Sequence, residues 1–270
     1  MQVYDFNSLL QSGLKKNTPC AVAIGVFDLL HLGHQEIFTT LTQYVALNPG
    51  MESMAITFDR NPKGSKNIDT LRLRERYLEQ FQINSLVLID FSAEFGKLSA
   101  SEFIQLLLKL CDLRAIVVGE DFHMGALNAS CSAFEIKELC RKNGKDVNVI
   151  IKSPVLNADG EKISSTLLRK YISQGELELV QKFTLRPYQV DLAPIPSISF
   201  GNRMRIALKD VMQLLPPPGL YDGELVLKDG KAFSASCLIN DDEMELTFNS
   251  DSLPPLGKKE YLNLFCRSQQ

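Results

Sequence analysis

Tryptophan is absent from this chain and histidine occurs only three times, so each imidazole carries weight. The six cysteines, Cys20, Cys111, Cys131, Cys140, Cys237 and Cys266, form no C-x-x-C pair. A thiolate zinc site needs closer spacing, and a disulfide scaffold is shorter and richer in cysteine; free thiols in packed positions are the expectation. No apolar run approaches the roughly 18 residues of a membrane span. Met1 to Leu10 carries Asp5 and no basic cluster ahead of an apolar stretch, so no secretory signal is expected. An excess of positive charge is also lacking. The net charge of −3 gives no electrostatic case for binding nucleic acid or a membrane surface. A cytoplasmic protein is expected.

What is present is ordinary for a folded chain: 45% hydrophobic and 23% charged residues over 270 positions. At about 100–200 residues per domain, two domains are expected. The first alternates short apolar runs with helical stretches. Ala21–Ile24, Met54–Phe58, Leu86–Ile89, Ala115–Val118 and Val147–Ile151 read as buried strands. Helices are expected over His34–Ala46, Leu71–Gln80, Ser99–Leu110 and Ala133–Asn143, the third opening on a Ser99/Glu102 capping box. This alternation implies βαβ units and a parallel sheet covered by helices, with ligands at the carboxyl ends of the strands. The loops after Ile24, Phe58 and Val118 are the places to look. Pro-containing pieces then interrupt Leu192–Pro218. Tyr221–Leu227, Phe233–Ile239 and Met244–Phe248 follow as strands joined by Asp-Gly and Asn-Asp turns, which favour antiparallel hairpins.

Chemistry concentrates in two motifs. Directly after the first of these strands, Gly25 to His34 places His31 and His34 in an H-x-G-H spacing. A glycine lets the backbone approach a ligand, and the helix that follows aims free N–H groups and partial positive charge at the same spot. Imidazole donors there suit charge building on a phosphate in transfer. The second motif is Ile163-Ser164-Ser165-Thr166-Leu167-Leu168-Arg169. Its hydroxyl residues are natural helix caps that can instead hold a polyphosphate, with Arg169 on the same face as Thr166. His123, beside Asp121, reads either as a ligand contact or as an exposed loop residue, Phe122 and Met124 as packing residues, and Leu71 to Arg76 as a solvated helix face with ion pairs.

Together the two motifs resemble the nucleotidylyltransferase superfamily, and more narrowly the bacterial bifunctional riboflavin kinase/FMN adenylyltransferase (FAD synthetase) family. The family's G-x-F-D-G-x-H-x-G-H appears with Leu29 in place of the glycine after Asp28. Its T-F-x-P-H-P appears as Thr57 to Pro62, with Arg60 for proline and Asn61 for histidine. Its V-G-x-D-F-x-F-G appears as Val118 to Gly125, its I-S-S-T-x-x-R is intact, and its G-R-P-Y appears as Leu185 to Tyr188.

The resemblance implies an α/β fold: a Rossmann-like nucleotidylyltransferase domain over residues 1–186, then a small antiparallel, barrel-like β domain over 187–270. It implies transfer of AMP from ATP to FMN, giving FAD and pyrophosphate, with Mg²⁺ accompanying ATP, although no metal-ligand cluster is visible. Gly25, Phe27, Asp28, His31, His34, Ser164, Ser165, Thr166 and Arg169 would hold ATP. Among these, His31, His34, Ser165, Thr166 and Arg169 would be catalytic. Phe58, Asn61, Pro62 and Asp121 would line the flavin side. The kinase half of the family carries G-F-P-T-A-N, and nothing after Tyr188 matches it. Glu245 alone stands where a catalytic glutamate would fall. A kinase-like β domain without kinase activity is therefore expected. Three alternatives stand beside this reading: another acceptor within the superfamily, residual riboflavin kinase activity, and a non-catalytic flavin- or nucleotide-sensing module.

Overall fold

The computed structural model describes residues 1–59, 64–92, 94–126, 129–249 and 258–267. They pack as two units, Met1–Ser65 with Arg74–Lys162, and Lys66–Leu73 with Ile163–Gln270.

The first unit is built on six parallel strands: β1 (Gln2–Asp5), β2 (Pro19–Ile24), β3 (Glu52–Phe58), β4 (Ser85–Ile89), β5 (Asp112–Gly119) and β8 (Asn148–Lys152). Their spatial order is β1-β4-β3-β2-β5-β8. The five strands expected from apolar runs are all present; β1 is the one the pattern missed. The chain steps outward in one direction from β2 to β3 and β4, then returns to the other side of β2 as β5. Strand order therefore reverses between β2 and β5, and the crevice at their carboxyl ends is the default ligand site of such a sheet.

Both faces of the sheet are covered, which is why its strands read as near-continuous apolar runs. Val22, Ile24, Met54, Ile56, Ile116 and Val118 share one core with Phe103, Ile104 and Leu107 of α4 (Ala100–Leu110). The alternate residues Ala21, Ala23, Ala55, Ala115 and Val117 share the other with Ile37, Phe38 and Leu41 of α2 (Leu32–Ala46). Four of those five strand residues are alanine. The small side chains leave room for the Phe27 and Phe38 rings, whose centroids lie 4.6 Å apart. Helix α4 starts on the expected capping box: Ser99 accepts from the Glu102 amide, and the Glu102 carboxylate accepts from the Ser99 amide.

Helix α3 (Leu71–Glu79) departs from the solvated face expected of its charged pattern. Leu73 is fully buried and Arg74 is 2% exposed. Two short strands, β6 (His123–Met124) and β7 (Cys131–Ser132), form a small antiparallel pair after β5. Met124 is buried and Phe122 packs against the core, while His123 is exposed.

The second unit is a seven-stranded antiparallel sheet with two helices, α6 (Ser165–Gln174) and α7 (Leu177–Thr184). Its strands are β9 (Tyr188–Asp191), β10 (Ile198–Phe200), β11 (Arg203–Ala207), β12 (Gly219–Leu227), β13 (Ala232–Ile239), β14 (Glu243–Phe248) and β15 (Lys259–Arg267). They run in the order β10-β11-β14-β13-β12-β15-β9. Segment 66–73 is bound into this unit by polar side chains. Gln213 and Tyr188 donate to the Ile68 carbonyl, Arg186 pairs with Asp69, and Thr70 and Arg72 bond Asp191. All six cysteines are free thiols, five of them buried.

Candidate active site

The loop between β2 and α2 is held in an unusual shape by its own side chains. A Cβ on Gly25 would lie 2.8 Å from the Phe27 ring, so glycine is needed there to let that ring fold back over the chain. Phe27 and Leu29 both adopt left-handed backbone, with φ of 49° and 65°. For residues bearing a Cβ this costs about 1–2 kcal/mol each, and it persists only where the surroundings over-determine it. Burial does so here: Phe27, Leu29 and Leu30 are all nearly inaccessible. Glycine, which the motif this loop resembles carries at the place of Leu29, adopts such backbone without that cost.

Asp28, between the two strained residues, is buried at 3% exposure. His31 caps α2 through its backbone, its carbonyl accepting from the amides of His34 and Gln35. The two imidazoles stack, with centroids 3.8 Å apart and planes 24° from parallel. His34 also meets the Phe27 ring edge-on at 5.2 Å. Its Nδ1 lies 3.2 Å from the Leu29 carbonyl, which can only accept, so Nδ1 carries the proton and Nε2 is turned to other work. The Nδ1 of His31 is buried and has no partner among the described residues. A buried, unpaired nitrogen costs stability and fits a group awaiting a ligand.

Burial dominates the electrostatics. It pushes the His31 pKa down from 6.5 to about 2, with His34 and Lys162 adding to the effect. It pushes His34 down to about 4, against its hydrogen bond to Leu29 and the charge of Asp121. Both rings are neutral at pH 7 in the free protein. As pH falls below 6.5 the unfolded chain takes up protons that the folded chain refuses, so stability falls between about 6.5 and 4. The slope is about 1.4 kcal/mol per pH unit per histidine. His31→Ala is expected to flatten it by one histidine's share when denaturant midpoints at pH 5 and pH 7 are compared. Equal slopes in wild type and variant would contradict the depressed pKa.

The loop after β5 supplies Asp121, whose carboxylate is paired with Lys162. Burial works to raise the Asp121 pKa, but the Lys162 bond and charge hold it below the usual carboxylate range. Phe58, at the end of β3, meets Phe91 edge-on at 5.4 Å and Phe95 at 6.1 Å. Asn61 and Pro62 lie outside the described residues. Gly25, Phe27, Asp28 and His31 thus share one loop of the first unit and His34 stands on the first turn of α2, with Asp121 on the loop after β5 and Phe58 at the end of β3.

Ser164, Ser165, Thr166 and Arg169 belong to the second unit. Ser164 caps α6, its hydroxyl accepting from the Leu167 amide at 3.2 Å, which leaves Ser165 and Thr166 on the first turn. Arg169 donates to the Lys66 carbonyl at 2.6 Å. Two residues near the histidine loop went unnoticed in the sequence. Lys162 could have been found as the basic residue just ahead of Ile163-Ser164-Ser165-Thr166. Arg74, whose guanidinium reaches the backbone of Val26, sits in a charged run that gives no signal of burial. Among the described residues, no group of three or more His, Cys, Asp or Glu side chains is placed to hold a metal ion. No helix among them is long and apolar enough to cross a membrane.

Comparison with known proteins adds an independent line. The family model described as FAD synthetase matches residues 14–167. A protein of Buchnera aphidicola subsp. Schizaphis graminum named bifunctional riboflavin kinase/FMN adenylyltransferase is 30% identical, over 71% of this chain and 63% of its own length. The chain therefore spans less than two thirds of that relative. A Listeria monocytogenes protein named FAD synthetase is 27% identical over 65% of this chain and 72% of its own. Among solved structures, a protein described as a macrolide-efflux protein from Streptococcus pneumoniae superposes with a TM-score of 0.80. It covers 93% of this chain and 86% of that one at 23% identity, a likeness of fold alone.

Proposed function

Because the chain belongs to the FAD synthetase family, we propose that it transfers the AMP moiety of ATP to FMN, releasing FAD and pyrophosphate. The observation that carries this reading is the stacked His31–His34 pair at the start of α2, beside the point where strand order reverses.

In the reaction an oxygen of the FMN phosphate forms a bond to the α-phosphorus of ATP while the bond to the β-phosphate oxygen breaks. The electron pair leaves with pyrophosphate. No covalent intermediate and no base are needed, since the attacking oxygen is already anionic. What this chain must supply is alignment and compensation of charge. Neutral His31 and His34 would meet the arriving phosphates, and the added negative charge raises their pKa and lets them donate. The free N–H groups at the start of α2 add partial positive charge there. Gly25, Phe27 and Asp28 would flank the nucleotide. Ser164, Ser165, Thr166 and Arg169 would take the β- and γ-phosphates, Phe58, Asn61, Pro62 and Asp121 the flavin. Mg²⁺ would arrive on the ATP phosphates and offset charge on the leaving pyrophosphate, as suits an ion that keeps much of its water and needs few protein ligands.

We assign the transferase to residues 1–186, place the protein in the cytoplasm, and read 187–270 as a β domain without kinase activity. Glu245 supports the last point. Its carboxylate accepts from Arg205 Nε at 2.6 Å and Arg203 Nη1 at 3.1 Å, across the β11–β14 pair. A carboxylate clamped between two guanidinium groups is poorly placed to take a proton from a hydroxyl. The test is a chromatographic end-point assay with ATP and Mg²⁺, run with FMN and with riboflavin. FAD from FMN and no product from riboflavin is the expected result. FMN formed from riboflavin would make the protein bifunctional. Tight FMN binding without product would make it a sensing module.

A further inference from the structure

We propose that Arg74 is the positioning residue of this site, a single buried guanidinium that fixes the histidine loop after β2 against the end of β3 at Phe58 and Asp59. The proposal rests on the adenylyltransferase reading. Arg74 Nη1 donates to the carbonyls of Val26 at 3.1 Å and Phe58 at 2.8 Å, and Nη2 donates to the Asp59 carbonyl at 3.0 Å. Thr57 reinforces the junction, its hydroxyl donating to the Val26 carbonyl at 2.8 Å. One side chain, 2% exposed, therefore gathers backbone acceptors from both strand ends.

Burying a guanidinium carries a desolvation cost of several kcal/mol, which α3 could avoid with an apolar residue. What the charge secures is geometry. Val26 precedes the Phe27–Leu29 turn, whose left-handed residues depend on their surroundings to persist. Releasing the Val26 carbonyl frees the turn that leads to His31. The Phe58 and Asp59 carbonyls tie the other end of the fork to the strand end that carries the flavin-side candidates. Only a planar fork with several donors can span the two; a lysine ammonium, a single point charge, cannot.

The experiment uses the full chain carrying Arg74→Lys, with Thr57→Val as a second variant that leaves the buried charge in place. Arg74→Lys is expected to lower kcat about 30- to 100-fold, in line with the cost of a small misplacement at a reacting centre. KM for ATP is expected to change less than kcat. Thr57→Val should lower kcat about 5-fold, for loss of the weaker support. Because Arg74 acts through the histidine loop, adding Arg74→Lys to His34→Ala should cost almost nothing further. Amide exchange should quicken about 10-fold over residues 25–31 and 57–59 while the central strands stay protected. Losses that multiply in the double variant would overturn the proposal in favour of a merely structural role. Unchanged turnover and exchange in both single variants would overturn it outright. Were the wild type to form no FAD, the adenylyltransferase reading would fail, and the exchange measurement would still decide whether Arg74 holds the histidine loop to the end of β3.

Discussion

Alanine at His31 or His34 is expected to lower the proposed FAD formation by about 10²–10³-fold, the loss typical when one donor to developing phosphate charge is removed. The effect should fall on kcat more than on KM, because rings that are neutral in the free protein would bind most tightly once charge accumulates on the α-phosphate. The fold should survive both changes. His31 Nδ1 has no partner among the described residues, so no hydrogen bond from that atom is lost with it. His34 gives up its bond to the Leu29 carbonyl and its contact with the Phe27 ring, an expected cost of about 1–2 kcal/mol. Steady-state kinetics beside thermal melts separate the two effects. Full activity in both variants would show that the histidine loop is not the site.

Gly125→Ala should have the largest effect on stability. Its φ is +88°, and an added Cβ would meet the Ala100 amide nitrogen at 2.4 Å and the Ala129 carbonyl oxygen at 2.8 Å. Both obstacles are backbone, and neither can step aside without moving the start of α4 or the segment after β6. A loss of about 3–5 kcal/mol is expected, lowering the melting temperature by roughly 10 °C or more for a chain of this size. Gly144→Ala is the control. Its φ is +80°, but nothing lies within 4 Å of the added atom. It should cost only the backbone strain of about 1–2 kcal/mol. Equal melting temperatures for the two variants would show that the close packing at Gly125 is not real.

The parts of the fold legible in the sequence are those whose residues answer to local rules. Strands buried on both faces, such as Ala21–Ile24 and Ala115–Val118, must be apolar throughout, and they announced themselves. The Ser99/Glu102 capping box is a local hydrogen-bond device and appears with both arms made. Strand β1 gave no signal because most of it is exposed at the sheet edge, where no apolar run is required. The β10–β11 hairpin was hidden for a similar reason, lying between proline-containing pieces with Ile198 and Phe200 exposed.

The site divides in the same way. The histidine loop could be read from strand, turn and helix in succession. The stacking of the rings and the tautomer of His34 could not, because both follow from left-handed turns at Phe27 and Leu29 that no residue type there advertises. The burial of Arg74 was not legible because it is decided by carbonyls of the loop after β2 and of the end of β3, both distant in sequence. Lys162 was passed over because its partner, Asp121, comes from another strand end.

The most direct test of adenylyl transfer is to follow ATP labelled at the α-phosphate in the presence of FMN. Label appearing in FAD, with unlabelled pyrophosphate formed in equal amount, is the expected result. Label retained in ADP, with the γ-phosphate transferred instead, would contradict the account.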